Sequence, residues 1–206
     1  FKCFILYFRN SFRIILAKGH IEVLVISVIS NLVGSNLFPV PIEEIIESMG
    51  LSLEYQYIRN NGRILGETIF DDSYIPIYNM DEKRYEIIFV QRGTIILDAS
   101  LLQRKMRGRC RFTAAHELAH WLIHQELYSG SGDTAAMLKS PIKSSEVDKR
   151  IECQADMLAS ALWLPINQVK KAFYRISGED RISQLALMFG VSKQAMEIRL
   201  KNHRLI

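Results

Sequence analysis

Cysteine is scarce in this sequence: Cys3, Cys110 and Cys153 are the only three, an odd count with no CxxC pair. That argues against a disulfide-stapled secreted scaffold and makes a reducing cytoplasm the expected setting. Five prolines and eleven glycines are too few for a collagen-like or low-complexity chain. With 49% hydrophobic and 23% charged residues, disorder over most of the length is also excluded. No internal repeat is visible. No membrane span is expected either, because the most apolar stretch, residues 21–33, has 13 residues where a span needs roughly 20. No small-residue cleavage site follows it, which argues against a secretory signal. Phe1 is not an initiator Met, so the expectation is a fragment or a processed product.

Charge is unevenly spread. The net +4 divides into +3 over residues 1–35 (four Lys/Arg, one Glu), −4 over 36–165 and +5 over 166–206 (eight Lys/Arg, three Asp/Glu). A basic tail suits nucleic acid or an acidic partner, but on a helix it is first of all a solvated face. A chain of 206 residues suits one compact domain with an appendage, or two small ones. Three segments are expected: an apolar helical segment over 1–35, with a face of Ile21, Leu24, Val25, Val28, Ile29, Leu32 and Val33; a main domain over 36–165; and a helical C-terminal subdomain over 166–206.

Within the middle segment, Ile42, Ile45, Ile46 and Met49 recur at helical spacing, with Gly50 placed to stop the helix. The text then changes period. Tyr55–Arg59, Gly66–Phe70, Tyr74–Tyr78, Tyr85–Gln91 and Thr94–Leu97 are short, β-branched or aromatic runs divided by turn formers. They predict a small, mostly antiparallel sheet. After Leu101 the pattern is helical, with helices expected over Thr113–His124 and Ser145–Leu164 and a long loop, Tyr128–Ser144, between them. A sheet followed by helices is an α+β architecture.

Chemistry enters at Thr113-Ala114-Ala115-His116-Glu117-Leu118-Ala119-His120. His116 and His120 are four apart, so on a helix both imidazoles leave one face and can grip one metal ion. Thr113 is the expected N-cap of that helix. Glu117 falls beside the ion rather than on it, where it can hold and deprotonate a water that the metal polarises. Catalytic zinc takes three protein ligands and keeps a position for water. A metzincin would need Gly and His three and six residues after His120, and those positions hold Ile123 and Glu126. Downstream, Glu152 and Asp156 are four apart on a predicted helix whose Ala155 and Ala159 allow close approach. Glu152 can complete a His-His-Glu set, and Asp156 can accept the second ring N–H of a ligand histidine, most simply His116. His124 extends the series by one more turn; a fourth ligand would close the site to water, so a structural or substrate-facing role is expected. Cys153 points about 100° away from Glu152 and is left out of the ligand set.

RFTAAHELAHWLIH (111–124) and IECQADMLASALWLP (151–165) resemble the paired signatures of the ImmA/IrrE family of zinc metallo-endopeptidases. GTIILDASLL (93–102) is similar to that family's strand before the metal helix, and PVPIEEIIESMGL (39–51) to its entry helix. The resemblance implies a zincin-like helical core, Zn²⁺ held by His116, His120 and Glu152, and Glu117 as catalytic base. It also implies a protein substrate, a helix-turn-helix transcriptional repressor. Ala119 stands where many members have Gly, and Gln154 where Glu is common, which removes a charge but no ligand. An edge strand beside the metal helix often holds the substrate of a zinc peptidase, and Thr94, Ile95, Ile96 and Leu97 are the expected strand. Tyr128 and Tyr174 are candidates for oxyanion stabilisation.

A second function competes. Ser183–Gly190, Val191-Ser192 and Lys193–Lys201 read as helix, turn, helix, which would turn Lys193, Gln194 and Glu197 toward a DNA major groove. Similar text closes many members of the peptidase family as part of the folded unit.

Overall fold

The computed structural model describes residues 38–59, 62–128 and 146–206. The segment expected over 1–35, with its apolar helix, and the long connection after Tyr128 lie outside the described residues. Helix α1 (Ile42–Ser48) follows Pro41 and buries Ile42, Ile45 and Ile46, the face that the spacing predicts, and Gly50 takes a left-handed φ of +75° just beyond it.

Five strands follow: β1 (Ser52–Gln56), β2 (Gly66–Thr68), β3 (Ser73–Asn79), β4 (Arg84–Val90) and β5 (Thr94–Asp98). They build two small sheets. One is three-stranded in the order β1-β5-β2, with β1 parallel and β2 antiparallel to β5; the other is the β3–β4 hairpin. β1 lies three residues earlier than the expected Tyr55–Arg59, because its pairing with β5 runs from Ser52 opposite Thr94 to Gln56 opposite Asp98. Asp98 is buried, and its two carboxylate oxygens accept the backbone N–H groups of Ile58 and Ser100, tying the end of β1 to the turn after β5.

The chain then passes through two 3₁₀ turns (Ala99–Leu102 and Arg104–Met106) into helices α2 (Arg107–Tyr128), α3 (Glu146–Trp163), α4 (Ile166–Arg175), α5 (Arg181–Phe189) and α6 (Lys193–Asn202). The fold is α+β with a helical C-terminal segment, as expected. Thr113, however, caps nothing: α2 begins at Arg107, so Thr113 sits in its interior and is buried. The six residues before it carry no clear apolar period, but docking of Cys110 and Phe112 into the core extends the helix through them.

β5 sits at the centre of the packing. Ile95 and Leu97 face α1, α2 and α3, joining Ile42, Ile45, Leu118, Leu158 and Leu162, while Ile96 faces Ile58, Ile69, Ile75 and Val90 under the hairpin. Each such fully buried aliphatic side chain contributes about 1.5–3 kcal/mol relative to exposure. The expectation that Thr94–Leu97 is an edge strand for substrate is therefore overturned: β5 is hydrogen-bonded on both sides and buried throughout. A strand covered on both faces reads as an unbroken apolar run, which is what Ile95-Ile96-Leu97 is.

Small side chains set the approach of α2 to α3. Ala114, Ala115 and Ala119 on one and Ala155 and Ala159 on the other are fully buried. A second core, built from Trp163, Leu164, Val169, Phe173, Leu185, Phe189, Met196 and Leu200, holds α4–α6 together and meets the first through Phe38 and Phe112. Gly190 ends α5 at φ +63°, and the Ser192 hydroxyl caps α6 by accepting the Ala195 N–H. Gly190 has a second reason to be glycine: a Cβ there would come within 2.8 Å of Arg111 Nη1 and 2.9 Å of Pro39 Cγ. Arg111 donates to the carbonyls of Gly190 and Val40, pinning the turn between the last two helices against α2.

Candidate metal centre

Helix α2 projects His116, His120 and His124 from one face, and α3 lays Glu152, Gln154 and Asp156 opposite them. His116 Nε2 and His120 Nε2 are 3.0 Å apart; Glu152 places Oε2 3.3 Å from the first and Oε1 3.7 Å from the second. Tetrahedral zinc with bonds of about 2.0–2.1 Å would hold its ligand atoms roughly 3.3 Å from one another, so the two ring nitrogens and the carboxylate oxygens nearest each of them lie near the spacing such an ion needs. Two imidazoles and a carboxylate are also a donor set that suits zinc better than magnesium or calcium. Among the described residues, His116, His120 and Glu152 form a possible metal-binding group, with His120 buried and the other two half-buried.

The neighbours of this group are arranged for the same end. His116 Nδ1 lies 2.9 Å from Asp156 Oδ1, so the ring donates there and turns Nε2 to the ligand side. Asp156 is the sequence-predicted partner, and it stands at the open edge with its side chain 60% exposed. Glu117, only 2% exposed, points toward β2. Thr68 Oγ1 lies within donating distance of Glu117 Oε2 (2.8 Å) and of the Glu117 carbonyl oxygen (3.0 Å), which fixes the carboxylate's orientation. β2 approaches so closely that a Cβ on Gly66 would stand 2.7 Å from Glu117 Cγ and 2.8 Å from its Oε1. Glycine at 66 is thus a condition for seating Glu117.

His124 is buried and, among the described residues, is not part of the possible metal-binding group; its Nδ1 faces His120 Nδ1 at 3.0 Å and its Nε2 faces Gln154 Oε1 at 3.2 Å. Cys153 is exposed and free, consistent with its exclusion from the ligands. Tyr128, at the end of α2, stacks on Phe70 with ring centroids 5.2 Å apart, and Tyr174 is 75% exposed on α4 against Phe173. Thr94–Leu97 lie in the sheet centre, with β2 as the edge strand that reaches Glu117.

A family model described as the IrrE N-terminal-like domain of M78 peptidases matches residues 74–201. The chain belongs to the M78 peptidase family. It is a metallopeptidase of the ImmA/IrrE type, as the two helix signatures imply. The matched span contains both helices of the metal centre and continues through α4, α5 and nearly all of α6, so the helix-turn-helix-like segment falls inside the family unit. No curated protein matches the chain.

Sequence reasoning missed Gly66 and Thr68, which it placed only in a strand, and the His124–Gln154 contact. The first two are recognised by what comes near them in space. The third had a visible signal in the i, i+4, i+8 histidine series, but the partner of its last member lies 30 residues away.

Proposed function

We propose that this M78 peptidase is a zinc-dependent endopeptidase that cuts a helix-turn-helix transcriptional repressor in the cytoplasm. The observation that carries the reading is the convergence of His116, His120 and Glu152 within ligating distance of one ion. The free thiols of Cys110 and Cys153 support a reducing compartment, and among the described residues no helix is long and apolar enough to cross a membrane. The repressor substrate rests on the family resemblance.

Zinc held at this centre would polarise the scissile carbonyl and make a water acidic enough to lose its proton near neutral pH. Glu117, with its Oε2 held by Thr68, is the residue that would take that proton and pass it to the leaving amine. Asp156 keeps His116 in the tautomer that offers Nε2. The chain divides into a peptidase domain over 36–165 and a helical subdomain over 166–206, a reading supported by the change of side-chain core just before that boundary, between Leu162 and Trp163.

The test is direct. Chain supplemented with zinc and mixed with a candidate repressor should yield discrete fragments, whereas Glu117→Gln should yield them roughly 10²–10⁴-fold more slowly; equal cleavage by the variant would sink the mechanism. The competing reading, DNA binding by α5 and α6, is favoured by exposed Lys193 and Gln194 at the start of a capped α6, with Glu197 half-buried behind them. Gel shifts at several salt concentrations separate the two, because specific binding that survives moderate salt belongs to a DNA-reading protein.

A further inference from the structure

Glu117 is seated from outside its own helix. β2, which does the seating, has three residues and, among the described strands, pairs with β5 alone. Side chains alternate along a strand, so successive residues face opposite ways. Ile69, just past β2, joins the core under the hairpin, while Gly66, Thr68 and Phe70 meet α2.

The contacts run in step. Gly66 and Thr68 lie against Glu117, and Phe70 lies against Trp121, one helical turn further along. Phe70 is 4% exposed and stacks on two rings of α2, Trp121 at 5.8 Å between centroids and Tyr128 at 5.2 Å. Arg92 lies over the Trp121 ring, 5.7 Å from its centroid, and its backbone N–H donates to Asp72 Oδ1 just beyond Phe70. The end of β2 is thus fastened to the helix that carries Glu117.

What the fastening holds is a distance. Thr68 Oγ1 stands 2.8 Å from Glu117 Oε2. A contact at about 3.6 Å is no longer a hydrogen bond, so a retreat of β2 by about 1 Å would break it. Pairing over three residues at a sheet edge offers little resistance to such a retreat, whereas a buried aromatic stack resists it. We infer that Phe70, acting through Thr68, is a positioning residue for the Glu117 carboxylate. This rests on the reading of Glu117 as catalytic base and deepens it. Were Phe70 only core filling, its loss would lower stability and leave the contact between Thr68 and Glu117 intact.

The experiment uses the full chain and has two arms. In metal-free wild type the Thr68 hydroxyl proton, shielded from water, should give a resolved NMR signal with an Overhauser contact to the Glu117 side chain. Phe70→Leu should lose that signal to exchange with water. Trp121→Leu, which removes the other ring, should lose it too and serves where Phe70→Leu fails to fold. Trp121→Phe, which can still stack, should keep it. The second arm follows cleavage by zinc-loaded chain of a quenched fluorogenic peptide selected from a random library. Thr68→Val and Phe70→Leu should each lower kcat roughly 10–100-fold with KM nearly unchanged, and the double variant should be no slower than Thr68→Val alone. A hydroxyl signal retained in the leucine variants, or losses that multiply in the double variant, would overturn the inference. The two readings fail separately. A zinc-loaded wild type that cuts no peptide of the library contradicts the peptidase reading, while the hydroxyl signal of the metal-free chain still decides how Glu117 is seated.

Discussion

The metal centre and the β3–β4 hairpin treat polarity in opposite ways. Between α2 and α3 the interior holds Glu117, His120 and His124, each 2% exposed and each bonded to another side chain. On the hairpin, Tyr74, Ile87 and Phe89 are 71%, 73% and 52% exposed, although the opposite face gives Ile75 and Val90 to the core. Burying ionisable groups costs free energy unless each is paired, so the interior cluster is not what stability alone would select. Exposing apolar side chains costs little by comparison. Selection for a site explains the first region, and the arithmetic of a small two-stranded sheet explains the second.

The sharpest way to break the contrast is at the ligands. His116→Ala or His120→Ala should remove most bound zinc in metal analysis, and Glu152→Gln should weaken binding less, because an amide oxygen can still reach the ion. Zinc retained at one per chain in either alanine variant would strike that residue from the set. Glu117→Gln should instead keep zinc and fold while slowing peptide cleavage roughly 10²–10⁴-fold. Loss of metal in this variant would make Glu117 a ligand.

The hairpin supplies the control. Ile75→Ala, on the buried face, should cost about 2–5 kcal/mol in denaturant unfolding, while Ile87→Ala on the exposed face should stay within about 0.5 kcal/mol. Equal effects would mean that the exposed face is covered in solution. Asp156→Ala should weaken zinc binding by about 10–100-fold without abolishing it, and Asp156→Asn should fall between it and wild type. Three equal titrations would reduce Asp156 to a solvated acid.

The smallest effect lies near α1. Burial, with Cys110 and Glu43 beside it, pushes the Tyr55 phenol above its ordinary 10.0, and burial pushes the Cys110 thiol above 9.0. Folding favours the neutral form of both, so their contribution is fully present below those ordinary values and is lost as pH rises through the raised ones. The unfolding midpoint should therefore fall above pH 9.0, less steeply in Tyr55→Phe. A variant that falls as steeply as wild type would clear Tyr55 of any part.

Local periodicity explains what was legible in the sequence. Four-residue spacing is a property of any helix, so His116 with His120, and Glu152 with Asp156, could be placed on shared faces before the fold was known. Residue chemistry then sufficed to join them across two helices. The same logic could not seat Thr68 or Gly66 beside Glu117, since only the pairing of β2 with β5 brings them there. It also misjudged Thr94–Leu97, where an unbroken apolar run marked a strand covered on both faces. The hairpin was legible as two strands but not as to which face lies inward, because Tyr74, Pro76 and Tyr78 are as apolar as Ile75 and Ile77.

X-ray absorption at the zinc edge tests the central claim most directly, because it reads the atoms around the ion. The account predicts two imidazole nitrogens and oxygen donors at about 2.0–2.1 Å, with no sulfur near about 2.3 Å. A sulfur scatterer would bring in Cys153, and a third imidazole would bring in His124; either result would contradict the His116–His120–Glu152 centre.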